Sequence, residues 1–158
     1  MQQTSTPMAN ELRLSRHIKA APEKLFRAWT EPELMKQWFC PRPWTTLVIE
    51  TDLRVGGASY ILMRGPDGEE MPNRGQYLEI VPGRKLVFTD AYVGDWQPSG
   101  KPFFTGVITF ESDGAGGTHY TARARHWTKE ECEQHEKMGF HEGWGKATDQ
   151  LEEVVAKL

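Results

Sequence analysis

Apolar and polar positions alternate from Glu11 to Ala20, with Leu12, Leu14 and Ile18 set against Arg13, Arg16 and Lys19, the pattern of a first strand. Ala21-Pro22-Glu23 then opens a helix, because proline suits a first turn whose N–H has no helical partner. Leu25, Phe26 and Trp29 are its apolar side. Thr30-Glu31-Pro32-Glu33 reads as a capping box that starts a second short helix carrying Leu34, Met35 and Trp38. Cys40-Pro41-Arg42-Pro43 ends it. From Trp44 to Arg125 the period falls to two. Strands are expected at Thr46–Glu50, Ala58–Arg64, Arg74–Ile80, Lys85–Tyr92, Phe104–Glu111 and Thr118–Trp127. Gly56-Gly57, Gly65-Pro66-Asp67-Gly68, Val81-Pro82-Gly83 and Asp113 to Gly117 are the turns between them. A polar loop through Trp96-Gln97-Pro98-Ser99-Gly100 precedes the last hairpin. Thr128-Lys129-Glu130-Glu131, a second capping box, opens a long C-terminal helix. Its Trp144, Thr148, Leu151, Val155 and Leu158 advance by three and four onto one face, while Glu142, Lys146, Asp149 and Glu153 fall elsewhere.

The expected order is strand, two short helices, six more strands and a long helix. This is an α+β domain over residues 11–158, preceded by a disordered tail over residues 1–10. One helix with one apolar stripe cannot cover six or seven antiparallel strands. A sheet that curls around it leaves a space between them, and such a space takes a small hydrophobic ligand.

The same order is that of the helix-grip fold of the START-like, or SRPBCC, superfamily. Three stretches resemble proteins related to the activator of heat-shock protein 90 ATPase: Ala21-Pro22-Glu23-Lys24-Leu25-Phe26-Arg27-Ala28-Trp29-Thr30-Glu31-Pro32-Glu33-Leu34 followed by Trp38; Gly83-Arg84-Lys85-Leu86-Val87-Phe88-Thr89-Asp90; and Gly139-Phe140-His141-Glu142-Gly143-Trp144. The resemblance implies the fold and a hydrophobic cavity over about Leu12 to Leu158. It does not imply one activity, since relatives include lipid and small-molecule binders, polyketide cyclases, a sacrificial resistance protein and a co-chaperone. Unlike the co-chaperone, this chain has one domain. A chaperone partner or a stress-response role is therefore an alternative to ligand binding, and a homodimer is a compatible assembly.

Composition narrows the classes. Net charge is −3, from 19 basic and 22 acidic residues, and the basic ones are scattered, which argues against nucleic acid as a partner. Arg123 and Arg125 alternate along one strand and read as a solvated sheet face. No apolar run is long enough to span a bilayer, and the first ten residues lack the apolar stretch of a secretory signal, so a cytoplasmic location is expected. Cys40 and Cys132 make no disulfide framework. Cys132 and His135 have i, i+3 spacing without a second ligand pair, so no metal is expected, and no motif calls for a cofactor. The acidic stretch Lys129 to Lys137 reads as a solvated helix start.

Six tryptophans in 158 residues are the unusual feature, since large rings line ligand pockets as well as cores. If the strand faces point inward as their alternation suggests, Trp38, Met63, Phe88, Trp96, Phe104, Met138, Phe140 and Trp144 are the apolar walls of the pocket. Tyr60, Asp90, Tyr92, His126 and His141 are then its polar groups. His126, His141 and Asp90 are the candidates for proton transfer in a cyclase-, aromatase- or hydrolase-like enzyme, because imidazole titrates near neutral pH. The competing reading is that each histidine is hydrogen-bonded and only packs. A buried Asp90 needs a partner, for which Arg123, Arg125 and His126 are the candidates. Gly139, Gly143 and Gly145 mark either close backbone approach or a mobile first half of the last helix, a gate.

Overall fold

A computed structural model describes residues 10–158; the tail expected at 1–10 lies almost wholly outside them. Seven strands, β1 (Glu11–Ile18), β2 (Thr45–Thr51), β3 (Ala58–Arg64), β4 (Glu70–Val81), β5 (Lys85–Thr89), β6 (Phe104–Ser112) and β7 (Thr118–His126), form one curved antiparallel sheet in the order β1-β7-β6-β5-β4-β3-β2. Helices α1 (Pro22–Thr30) and α2 (Pro32–Met35) follow β1, and α3 (Lys129–Lys137) and α4 (Phe140–Val155) follow β7. The α+β helix-grip arrangement expected from the sequence is the one found.

The inner face of the sheet can be read from its parity. Leu12, Leu14 and Ile18 of β1, Tyr120, Ala122 and Ala124 of β7, Ile108 and Phe110 of β6, and Leu86 of β5 point toward the helices and form the core with Leu25, Trp29, Leu151 and Val155. Arg16 has the same parity and reaches Asp149 and Glu152 of α4 rather than the outer face. Gly106 stands opposite Phe88, and a methyl group there would overlap the Phe88 ring. The missing side chain is what lets that ring lie across β6.

Two local expectations change. Thr30 does not cap α2: its hydroxyl donates back to the Phe26 carbonyl at 2.7 Å, and the residue at the cap is Glu31. The last helix is not continuous. Thr128 caps α3 as expected, accepting from Glu131 N at 3.1 Å, but Gly139 adopts φ 93° and separates α3 from α4. Only glycine takes that conformation without strain. Downstream, Thr148, Leu151 and Val155 are buried and Glu142, Lys146, Asp149 and Glu153 exposed, so the predicted stripe is the one that packs.

Gln150 joins α4 to the segment after α2. Its amide donates to the carbonyls of Trp38 (3.0 Å) and Cys40 (2.8 Å), and its carbonyl accepts from Arg42 N (2.9 Å). A buried glutamine is thereby matched to three backbone groups that belong to no helix or strand.

Candidate functional site

The buried apolar residues form two clusters rather than one. The larger fills the space between the sheet, α1 and the C-terminal half of α4. The smaller comprises Leu12, Ala124 and Phe140 near the start of α4. Leu14 and Trp144 pack against both clusters and are themselves only partly buried. Around this seam, Phe39, Met63, Phe88 and Phe104 also face the core while keeping access to solvent. The rings run on from one another: Trp38 to Trp29 at 4.9 Å between centroids, Trp29 to Phe88 at 5.7 Å, Phe88 to Phe104 at 6.4 Å, Phe104 to Trp144 at 6.0 Å and Trp144 to Phe140 at 4.7 Å. Gly143 sits in α4 beside Trp144, and a methyl added to it would meet nothing within 4 Å beyond its own helix. The tight packing that its sequence also allowed is not what holds it there.

One end of this aromatic row carries polar groups. His126, the last residue of β7, is 7% exposed. Its Nδ1 lies 3.0 Å from the Asn10 carbonyl oxygen and its Nε2 lies 2.8 Å from Nδ1 of His135. A carbonyl only accepts, so Nδ1 of His126 carries the proton. In the neutral pair its Nε2 accepts from His135 Nδ1–H, which leaves Nε2 of His135 as a bare acceptor. Burial first, then the neighbouring His126, hold the His135 pKa down to about 4, so this imidazole is neutral at pH 7. Phe103 and Phe104 lie within 5.1 and 5.2 Å of its ring, and Phe140 within 5.2 Å.

Asp90 follows β5 and is partly buried. Neither Arg123 nor Arg125 reaches it, since both point to the outer face. Its Oδ1 accepts instead from the backbone amides of Phe103 (2.7 Å) and Phe104 (3.2 Å). Burial still pushes its carboxyl upward against those donors, and Glu131 adds to the shift. Oε1 of Glu131 is buried without a hydrogen-bond partner among the described residues.

Of the residues expected around a pocket, Trp38, Phe88, Phe104, His126, Phe140 and Trp144 belong to this row or its end, and Met63 packs against the same core. Five others lie elsewhere. Tyr60 has the parity opposite to Ile61 and Met63, and Arg74 stacks on its ring at 4.3 Å on the outer face. Tyr92 packs on Trp96 at 5.5 Å, and Trp96, 52% exposed, donates its backbone N–H to Oε1 of Gln76 at 2.8 Å. Met138 is 65% exposed at the α3–α4 break. His141 is exposed and faces Glu136 at 3.5 Å, because the break at Gly139 sets the first turn of α4 on its own axis. His135 is the residue that sequence reasoning missed. Its i, i+3 spacing from Cys132 was the one sequence signal, and no apolar periodicity accompanies it in this charged helix. Among the described residues no group of histidine, cysteine and carboxylate side chains can hold a metal ion, and no helix is long and apolar enough to cross a membrane.

A pocket of about 830 Å³ lies on the outer face of β1, β7, β6 and β5, not between the sheet and α4. Between sheet and helix, Phe88, Phe104 and Trp144 stay partly exposed while packing on the core.

A protein from Nitrosomonas europaea of known crystal structure is 40% identical to this chain, with 96% of this chain and 97% of that one covered and a TM-score of 0.91. A crystal structure from Mycobacterium smegmatis is 25% identical over 91% and 89% of the two chains, TM-score 0.77. One from Chromobacterium violaceum, at 24% identity over 91% and 96% and TM-score 0.76, shares the fold. No curated protein matches the chain. The model of the family described as Activator of Hsp90 ATPase homolog 1-like protein matches residues 19–156, nearly the whole of the described fold, and the chain belongs to that family.

Proposed function

We propose that this protein binds a small hydrophobic, aromatic-bearing molecule along the seam between the inner sheet face and the first half of α4. The observation that carries the reading is that Phe88, Phe104 and Trp144 face inward and yet remain partly exposed, next to a helix position, Gly143, with open space beside it. A core that needed only to be filled would bury these rings, since each buried aromatic removes about 150–250 Å² of surface from water. Flat rings lined up at 5–7 Å suit an aromatic guest. The bare Nε2 of His135 offers an acceptor for a hydroxyl or N–H at one end. The imidazole pair at this end positions and selects a ligand.

Titration with the neutral probe N-phenyl-1-naphthylamine tests this. Saturable quenching of tryptophan fluorescence is expected, weakened by about tenfold or more in Trp144→Ala and in Phe88→Ala, and unchanged in Trp96→Ala. Equal affinity in all three variants would remove the reading. Native mass spectrometry of the freshly purified chain should show a retained small molecule that Trp144→Ala loses.

A further inference from the structure

The outer face of the sheet carries a groove of different chemistry. Glu11 and Arg13 of β1 lie directly opposite Arg125 and Arg123 of β7. Glu11 is nearly enclosed, with its side chain 1% exposed, and its Oε2 accepts from Arg125 Nε at 2.8 Å while Arg123 Nε stands 4.0 Å away. One carboxylate thus serves two guanidinium groups. Arg13 has no ion-pair partner among the described residues, and it directly faces Arg123 across the strands, a pairing of like charges that destabilises a sheet. Burial first, then Arg13 and Arg125 against the pull of Glu11, hold the Arg123 guanidinium below its ordinary range. The groove over these residues is lined by five cationic side chains (Arg13, Arg84, Lys85, Arg123, Arg125) and three carboxylates (Glu11, Glu23, Glu111). Lys85 is paired with Glu79, outside the lining, at 3.1 Å, which leaves a surplus of one positive charge on a chain whose net charge is −3.

We infer that this groove of about 830 Å³ is a binding site for a small ligand carrying two or more negative charges on phosphate or carboxylate oxygens, held between Arg13 and Arg123. Guanidinium groups present paired N–H donors that match such oxygens, and a partly enclosed floor strengthens the attraction. The enclosed Glu11 is the fixed counter-charge that keeps Arg125 and Arg123 extended in the ligand's absence. The site lies on the side of the sheet away from the seam and does not depend on it.

The full-length chain at low ionic strength is titrated with pyrophosphate, and separately with citrate, by calorimetry and by amide NMR. Saturable one-to-one binding of either is expected, with the largest shifts at the amides of Arg13, Val107 and Arg123; the preferred probe separates phosphate from carboxylate. Arg13→Gln and Arg123→Gln should each weaken it by about tenfold or more, while Arg74→Gln, which removes a cation elsewhere on the outer face, should change it less than about twofold. Without ligand, Arg13→Gln should raise Tm at low salt, because it removes the facing like charge. The inference falls if neither probe saturates, if Arg74→Gln weakens binding as much as Arg123→Gln does, or if Arg13→Gln lowers Tm. It also falls if a hexaglutamate peptide binds more tightly than either probe, which would make the groove a surface for an acidic protein segment.

Discussion

His135 concentrates most of the unusual electrostatics of the molecule in one ring. It is neutral, buried, and hydrogen-bonded to a second imidazole that is itself fixed by a backbone carbonyl. A folded-state pKa of about 4, below the ordinary value of 6.5, means that the unfolded chain binds a proton between these two values and the folded chain does not. Stability contributed by this ring is present above pH 6.5 and is lost as pH falls toward 4. One pKa unit corresponds to about 1.4 kcal/mol, so the ring contributes on the order of a few kcal/mol over this range. Thermal unfolding followed from pH 7 to pH 4 should show a fall that is smaller in His135→Phe, which packs without titrating. A parallel pH profile in the two proteins would dissociate the shift from His135. The same ring shows why sequence alone misplaced part of the site. A histidine two residues before Lys137, in a run of acids, carries no periodic apolar signal, whereas His126 sits on a strand whose alternation announces its facing. Asp90 was legible as an oddity but not in its partners, because backbone amides of a loop are invisible to residue pattern.

At the scale of elements, α4 has two unequal halves. The C-terminal half is held by Leu151, Val154 and Val155 in the core and by Gln150 on three backbone groups. Gln150→Ala leaves those groups without their partner and should cost about 2–4 kcal/mol in denaturant unfolding. A loss below about 1 kcal/mol would mean that water replaces the amide. The N-terminal half begins at a left-handed glycine and contains Gly143 and Gly145. Gly143→Ala meets no neighbour and should stabilise the protein by up to about 1 kcal/mol through helix propensity. If that half must bend to admit a ligand, the same change slows association of N-phenyl-1-naphthylamine in stopped-flow while leaving the fold intact. Unchanged rates would show that the seam is open without motion. The elements themselves were nearly all legible, since turns with glycine and proline punctuate strands of clear period. The break at Gly139 was not, because a capped start and a heptad-like stripe on either side of it read as one helix, and only the positive φ separates them.

The whole molecule is a sheet with two chemically distinct faces. Its inner side is apolar, with Phe88, Phe104 and Trp144 partly exposed; its outer side carries arginines from neighbouring strands over an enclosed glutamate. Sequence reading located the first through alternation but placed Tyr60 and Met63 together, which the uninterrupted register of β3 forbids. It read the second as ordinary solvated surface, because the strand pairing that brings Arg13 opposite Arg123 joins segments more than a hundred residues apart. That pairing also governs biosynthesis. β1 is made first, yet its hydrogen-bonding neighbour is β7, synthesised last among the strands, and the helix that covers both comes later still. A nascent chain that has emerged only as far as Gly117 therefore presents Leu12, Leu14 and Ile18 with nothing to receive them. A domain so dependent on distant contacts should refold in milliseconds to seconds rather than microseconds.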